Sequence, residues 1–483
     1  MKDNFYITTS IAYTNAKPHI GFALESVQAD AMARWNRLQG RETFFLTGTD
    51  EHGVKIKRAA FDAGKSVKEF VDELSDNFKG LKEALDLSWD QFIRTSDKKN
   101  HWPGAQALWR KLEESGDIYW KEYKGLYCVG CENFVTEKDL VDGKCPDHKK
   151  EPEEIEEKNL FFRLSKYGEK IAELIKSGEL EILPEGRRNE ILSFIEGGLE
   201  DVSFSRSKDK LDWGIPVPGH EDQVMYVWCD ALSNYISAIG YGRDEKNFEK
   251  WWPAEIHVIG KDILRFHAAI WPGMLLAAGI PLPKKIFVHG FVTAEGEKIS
   301  KSIGNVIDPY ELVEKYGTDP VRYYLLRDLP SDEDGDFSTK RFEERYNADL
   351  ANGLGNFASR ITTLAESVGD LSGQNASEEV LQKIKQTAEQ AALASEKFKL
   401  HETVSTIWSL IKFGDGYINE NKPWEDSNKE VIYNGLHLLH AISKFIDPII
   451  PESAEKIRAN LKMDGDKVIG AKKIENLFPR LNA

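Results

Sequence analysis

The chain has 483 residues, 41% hydrophobic and 30% charged, with 64 basic against 80 acidic side chains for a formal charge of −16. That length suggests about three domains and excludes a single small binding module, and the acidic balance argues against indiscriminate nucleic-acid binding while leaving room for a local basic groove. No run reaches the ~18 to 20 apolar residues of a membrane span, the opening MKDNFYITTSIAY lacks a signal-peptide pattern, and four cysteines are too few for a secreted disulfide framework, so a cytoplasmic protein is expected.

In chain order, the apolar runs Phe5 to Thr9, Thr43 to Leu46, Val224 to Trp228, Ile256 to Ile259 and Ile286 to Phe291 read as buried strands. Phe22 to Leu38 has helical periodicity between the first two, and strand-helix-strand order implies a parallel sheet whose ligands sit at the carboxyl ends of its strands. From 116 to 222 a Cys-rich turn and runs such as EPEEIEEK interrupt that pattern, as an inserted domain would. From Tyr346 the β signal disappears. Helical segments follow at Ala348 to Val368, Ser377 to Lys399, Thr403 to Glu420, Lys429 to Phe445 and Glu452 to Leu461, separated by turns such as GDLSGQN and NKPWED, which predicts an α-helical bundle. The expected division is 1–115 and 223–290 for the two halves of the parallel-sheet domain, 116–222 for the insertion, 291–345 for a lysine-loop region and 346–483 for the bundle.

Three patterns carry chemistry. Cys128, Cys131, Cys145 and His148 form two close pairs separated by a loop, a spacing that places three thiolates and an imidazole around Zn²⁺ and closes the site to catalysis. Pro18, His19, Ile20, Gly21 and Phe22 run from the first strand into the helix, where free N–H groups and the dipole favour phosphate. Far along the chain Lys298, Ile299, Ser300, Lys301 and Ser302 form a cationic loop suited to a polyphosphate whose charge grows during displacement.

Pro-His-Ile-Gly followed about 280 residues later by Lys-Ile-Ser-Lys-Ser resembles the paired signatures of the class I aminoacyl-tRNA synthetases. More closely, the chain resembles the methionyl-tRNA synthetases of the bacterial or organellar type, through TGTDEHG (47–53), the single zinc knuckle, YVWCDALSNY (226–235), HVIGKDILRFHAAIWP (257–272), the lysine loop and NGLGNFASR (352–360). The resemblance covers nearly the whole chain. It implies a Rossmann-like α/β catalytic domain with a zinc-knuckle insertion and a C-terminal helical bundle that binds the anticodon. It also implies the family's reaction: methionine attacks the α-phosphorus of ATP to give methionyl-adenylate and pyrophosphate, and a ribose hydroxyl of the terminal adenosine of tRNA(Met) then takes the methionyl group. No protein nucleophile is required, so catalysis is positioning plus charge stabilisation.

By the same resemblance, His19, Gly21, Lys298 and Lys301 are the catalytic positions, and Pro18, Gly260, Asp262 and Ser300 complete the ATP site. Mg²⁺ is expected to arrive with ATP. Ile11, Tyr13, Asp50, Trp228, Ala231, Tyr235, Ile263, His267 and Trp271 are implied to bind methionine, with aromatic walls around the thioether and Asp50 on the ammonium. Asn352, Asn356, Arg360 and Trp424 are implied to read the anticodon. Steps of four advance ~40° around a helix, which puts the first three of these along one face, and Trp424 suits stacking on a splayed base.

The chain departs from the family pattern at Phe22, where a second His is usual, and removing such a donor costs ~3 to 4 kcal/mol unless another group replaces it. Ile299 replaces the usual Met, a change that conserves volume. Two rival readings remain at this point: a class I synthetase for Cys, Val, Leu or Ile, or a catalytically decayed tRNA-binding relative. A hydrolytic editing domain has little room within 116–222, a cysteine enzyme is expected to keep an open zinc position, and retention of His19, Lys298 and Lys301 argues against decay. A monomer is expected.

Overall fold

The computed structural model describes residues 4–129, 133–135, 140–146, 149–299, 305–475 and 477–481. It divides into two compact units, Met1–Pro18 with Arg41–Gly80 and Trp89–Val288, and His19–Gly40 with Leu81–Ser88 and His289–Ala483.

The first unit is built on a seven-stranded sheet. Strand β1 (Asn4–Thr9) lies between β3 (Glu42–Asp50) and the Ile256–Gly260 strand, followed by Lys285–His289 and Glu181–Leu183; β2 (Ala12–Tyr13) and β4 (Gln91–Arg94) both pair with β3. The β1 pairings are parallel, with Ile7 opposite Phe45 on one side and Ile256 on the other. Tyr6, Ile7, Thr8 and Thr9 are at most 1% exposed, which is why β1 reads as a continuous buried run rather than an alternating one. Because the chain departs from β1 in opposite directions along the sheet, the carboxyl ends of β1 and Ile256–Gly260 flank the crevice where such sheets bind ligands.

The 116–222 stretch supplies an antiparallel sheet of Ile118–Cys128, Asn133–Val135, Glu153–Phe162 and Val202–Ser203, and also the Glu181–Leu183 edge strand. Val224 to Trp228, expected as a buried strand, is divided: His220–Met225 is a strand in a small antiparallel sheet, and Val227–Leu232 is a helix carrying Trp228. A five-residue apolar run cannot distinguish the two by periodicity.

In the second unit, helix α1 (Ile20–Leu38) matches the helical expectation, and Glu378–Glu396, Leu400–Asn421, Lys429–Phe445 and Pro451–Asn460 form the expected bundle. Asn428 caps Lys429–Phe445 by accepting from the Glu430 and Val431 amides. Arg322 is fully buried, donating to Asp30 on α1 at 2.7 Å and to the carbonyls of Leu85, Pro448 and Ile449 at 2.8–2.9 Å. β structure does not end at Tyr346 as expected: Leu461–Asp464 and Lys467–Ala471 form a hairpin, with Gly465 at positive φ in its turn. Among the described residues, no helix is long and apolar enough to cross a membrane.

Candidate active site

In the first unit most of the residues expected around the amino acid come together. The parallel register of β2 and β3 sets Tyr13 opposite Asp50, and the Thr14 amide donates to the Asp50 carbonyl at 3.0 Å. Ile11, Tyr13, Trp228 and Ile263 are partly buried against the cluster that contains Tyr235 and Trp271. Ala231 is 4% exposed, on the same short helix as Trp228. Phe266–Ile270 is a π-helical turn, a device that often marks functional sites. It stacks Phe266 on Trp228 at 3.7 Å between ring centres and brings His267 edge-on to Trp228 at 6.2 Å. Trp271, fully buried, lies 6.0 Å from Tyr235 and forms a wall behind it.

Hydrogen bonding fixes the His267 tautomer. Burial lowers its pKa to about 4, so the ring is neutral. Its Nδ1 lies 3.0 Å from the Ile263 carbonyl, which only accepts, so Nδ1 carries the proton. Nε2, 2.7 Å from the Tyr235 oxygen, is then an acceptor and the tyrosine hydroxyl donates to it. Tyr235 therefore presents lone pairs rather than its proton to anything beside it. Gly260 ends the Ile256–Gly260 strand, and exposed Asp262 lies on the turn after it.

TGTDEHG assigns a different task to each acidic residue. Glu51 is fully buried, pairing with Arg94 through both oxygens at 2.6 and 3.0 Å and accepting from Thr49 at 2.7 Å, while Arg94 continues to Asp72. Asp50 is 5% exposed, and its Oδ1 receives two long bonds, from the His52 amide at 3.4 Å and the Thr95 hydroxyl at 3.5 Å. Arg94, Thr95, His101, His257 and Phe266 were not anticipated from sequence. Phe266 and His257 lie within a quoted motif, whereas His101 has no local signal.

In the second unit, His19 is the exposed N-cap of α1, and its Nδ1 accepts from the Gly21 amide at 3.1 Å. A Cβ on residue 21 would lie 2.9 Å from the His19 ring, so glycine is what lets the ring fold over the helix end. The expectation of free amides there is corrected: Ile20 donates to the Ile307 carbonyl, Gly21 to His19 Nδ1, and Phe22 and Ala23 to the His19 carbonyl. With Nδ1 accepting, the neutral ring carries its proton on Nε2. Phe22 is half-buried in this first turn and adds no polar group.

The Ile20–Ile307 bond, 3.1 Å, joins the early signature to the chain just after the lysine loop. That loop leaves a hairpin of Val292–Ala294 and Glu297–Lys298, turned by Glu295 and Gly296 at positive φ. Ser300 and Lys301 lie outside the described residues, as does the Lys298 side chain. Of the expected anticodon residues, Asn352 and Asn356 are exposed, and Arg360 donates to Asp415 and Asn419 at 2.7 Å while its guanidinium lies 5.4 Å from the centre of the Trp424 ring. Tyr346–Gly355 is π-helical, so the step from Asn352 to Asn356 does not follow the 3.6-residue geometry used to place them on one face.

Of the expected zinc ligands, Cys128 and Cys145 are buried thiols outside any disulfide, a state suited to metal binding, and Cys131 and His148 lie outside the described residues. Among the described residues no group of three ligands is assembled.

A family model described as tRNA synthetases class I (M) matches residues 5–156 and 148–362, and the chain belongs to this family. Relatives named methionine-tRNA ligase include one from Caldanaerobacter subterraneus subsp. tengcongensis, 44% identical over all of this chain and 80% of its own length, and one from Brucella suis, 42% identical over 96% and 93%. The solved structure of Mycobacterium tuberculosis methionyl-tRNA synthetase in complex with methionyl-adenylate superposes with a TM-score of 0.94 at 38% identity, covering 99% of this chain and 100% of that one.

Proposed function

We propose that this chain is a methionine-tRNA ligase, working in two steps. The methionine carboxylate attacks the α-phosphorus of ATP, breaking the bond to pyrophosphate and forming methionyl-adenylate. A ribose hydroxyl of the terminal adenosine of tRNA(Met) then displaces AMP. The observation that carries the reading is the Tyr235–His267–Trp228 cluster, in a chain 38–44% identical over nearly its full length to proteins of that name.

Each residue's task follows from its chemistry. Tyr235, its proton committed to His267, Trp228 and Ile263 enclose a polarizable thioether without offering a charge, and Asp50 holds the ammonium by a charge-assisted bond. Gly260 and Asp262 serve the ribose. His19 Nε2–H, Lys298 and Lys301 neutralise charge developing on the phosphates. Asn352, Asn356, Arg360 and Trp424 recognise the anticodon, with Arg360 steadied by Asp415. Zn²⁺ would be held by Cys128, Cys131, Cys145 and His148, where it supplies a structural cross-link and no catalytic step. Mg²⁺ accompanies ATP. The enzyme acts in the cytoplasm as a monomer.

Methionine-dependent exchange of labelled pyrophosphate into ATP tests the assignment: exchange with methionine supports it, and exchange with valine or cysteine instead rejects it. Lys301→Ala should abolish exchange while leaving tRNA binding intact. Binding of tRNA without exchange in the unaltered protein would favour the decayed relative.

A further inference from the structure

Arg360, assigned above to the anticodon, is gripped by two side chains that are also bonded to each other. Its Nη1 donates to Asp415 Oδ1 and its Nη2 to Asn419 Oδ1, each at 2.7 Å, and the Asn419 amide donates to Asp415 Oδ2 at 3.2 Å. Asp415 and Asn419 are four apart on the Leu400–Asn421 helix, which puts them on one face. Gly414 lets that helix come close enough: a Cβ there would lie 2.7 Å from the Phe357 ring, on the Asn356–Val368 helix that carries Arg360. Beyond Asn421 the chain turns at Lys422, whose φ is 45°, and the half-exposed Trp424 ring then lies 5.4 Å from the guanidinium. Two helices and a ring therefore fix the guanidinium plane.

A guanidinium carries its N–H donors in a rigid fork. With one donor on each terminal nitrogen committed to Asp415 and Asn419, the others point in set directions. Bases differ in where their edges carry acceptors, so a donor held in one direction discriminates among them, whereas a free arginine swings to whichever acceptor is near. The Asp415 carboxylate matters for a second reason. An unpaired guanidinium is drawn to every phosphate, a contact that carries no sequence information, and the ion pair offsets that attraction. We infer that Asp415 and Asn419 are positioning residues that set anticodon specificity by fixing the direction in which Arg360 donates. The inference rests on the reading of Arg360 given above, and both side chains act through that arginine rather than on RNA.

The test measures charging by the full chain of tRNA(Met) and of transcripts that each have one anticodon base replaced. For each anticodon position the discrimination is the ratio of kcat/KM for tRNA(Met) to that for the replaced transcript. Arg360→Ala first identifies the position this arginine faces, as the one where the ratio collapses. At that position Asn419→Ala and Asp415→Ala should shrink the ratio by about 5-fold or more, the lower end of what one well-placed bidentate contact contributes. The ratios at the other positions should change by less than about 2-fold, and methionine-dependent exchange should be unaffected. Asp415→Asn, which keeps an oxygen acceptor for Nη1, should restore most of the ratio. Unchanged ratios at every position in Arg360→Ala would remove the reading of Arg360, whereas a collapsed ratio there with unchanged ratios in Asn419→Ala and Asp415→Ala would overturn the inference. Equal shrinkage at every position would also overturn it, leaving a purely structural pair. So would a further loss when Asn419→Ala is added to Arg360→Ala, which would make Asn419 a contact with RNA itself. If Asp415→Ala does not fold, exposed Asn419 carries the same comparison.

Discussion

Replacing Gly21 with Ala separates the position of His19 from the stability of the helix it caps. The new Cβ would sit 2.9 Å from His19 Cε1 and 3.1 Å from Nδ1, where ordinary contacts begin near 3.4 Å, so the ring must swing outward and release the Gly21 amide it now accepts from. Loss of the cap costs about 0.5–2 kcal/mol, and alanine in place of glycine in a helix returns roughly 0.8–1 kcal/mol, so net stability changes by about 1 kcal/mol or less. For a chain this long, Tm then moves by no more than roughly 2–4 °C. Catalysis does not share that compensation. A donor moved off its oxyanion forfeits about 2.7–4 kcal/mol, or 10²–10³ in rate, and Phe22 next to it offers no second donor. The assay is methionine-dependent pyrophosphate exchange at saturating methionine, with a thermal melt of the same preparation. Exchange within about threefold of the unaltered enzyme would refute the role given to the folded-over ring.

Other expectations follow from buried charge and from the bundle. Arg322→Met leaves Asp30 ionised in the core, and although Arg34 also pairs with that carboxylate, the loss should reach about 3–5 kcal/mol; a urea midpoint within error of the unaltered protein would contradict this. His267, with its pKa near 4 against an ordinary value near 6.5, stays neutral in the fold while the unfolded chain takes up the proton first. Its contribution is therefore present above about pH 6.5 and lost as pH falls toward 4, at up to about 1.4 kcal/mol per unit, and the stability slope between pH 6.5 and 5 should flatten in His267→Asn. Trp424→Ala removes a half-exposed ring, which should lower kcat/KM for tRNA charging by about 5- to 100-fold, the range of one lost stack, with methionine activation unchanged; equal loss in both steps would argue against anticodon contact. Charging should also weaken as salt rises, because phosphate contacts release counterions.

How much of this was legible in the sequence depended on the range of each signal. Helix α1 and the bundle helices were visible because their apolar residues recur with a period of 3.6 over long stretches. Val224 to Trp228 was too short for a period, and a helix and a strand shared it. The Leu461–Ala471 hairpin carried an Asp-Gly turn signal between two short apolar runs, a hairpin marker that the surrounding helical pattern hid. The two π-helical turns were invisible because residue choice does not announce an i to i+5 ladder. Among site residues, Tyr235, His267 and Trp228 could be named through resemblance, but their hydrogen-bond order could not, since it depends on a carbonyl at Ile263 that every residue possesses. His101 lies 129 positions from its partner Asp230 and belongs to no motif.

That contrast between named residues and unnamed partners bears on how the site keeps its geometry. The strong interactions around TGTDEHG all go to groups that do not touch substrate in the proposed scheme: Glu51 to Arg94 through both oxygens, Arg94 to Asp72, and Asp230 to two imidazoles. Asp50, the residue assigned to the ammonium, accepts from the His52 amide and the Thr95 hydroxyl at 3.4 and 3.5 Å, longer bonds than these. A carboxylate satisfied as fully as Glu51 would have little left to offer a ligand, because a new bond would compete with those already made. The long bonds on Asp50 Oδ1 are weaker competitors for a charged guest than the close pairs on Glu51 and Asp230. Thr95→Arg, which puts a guanidinium beside Asp50, should weaken methionine binding because a fixed cation competes with the substrate ammonium for that carboxylate, whereas unchanged or improved binding in a folded variant would refute the ammonium role given to Asp50.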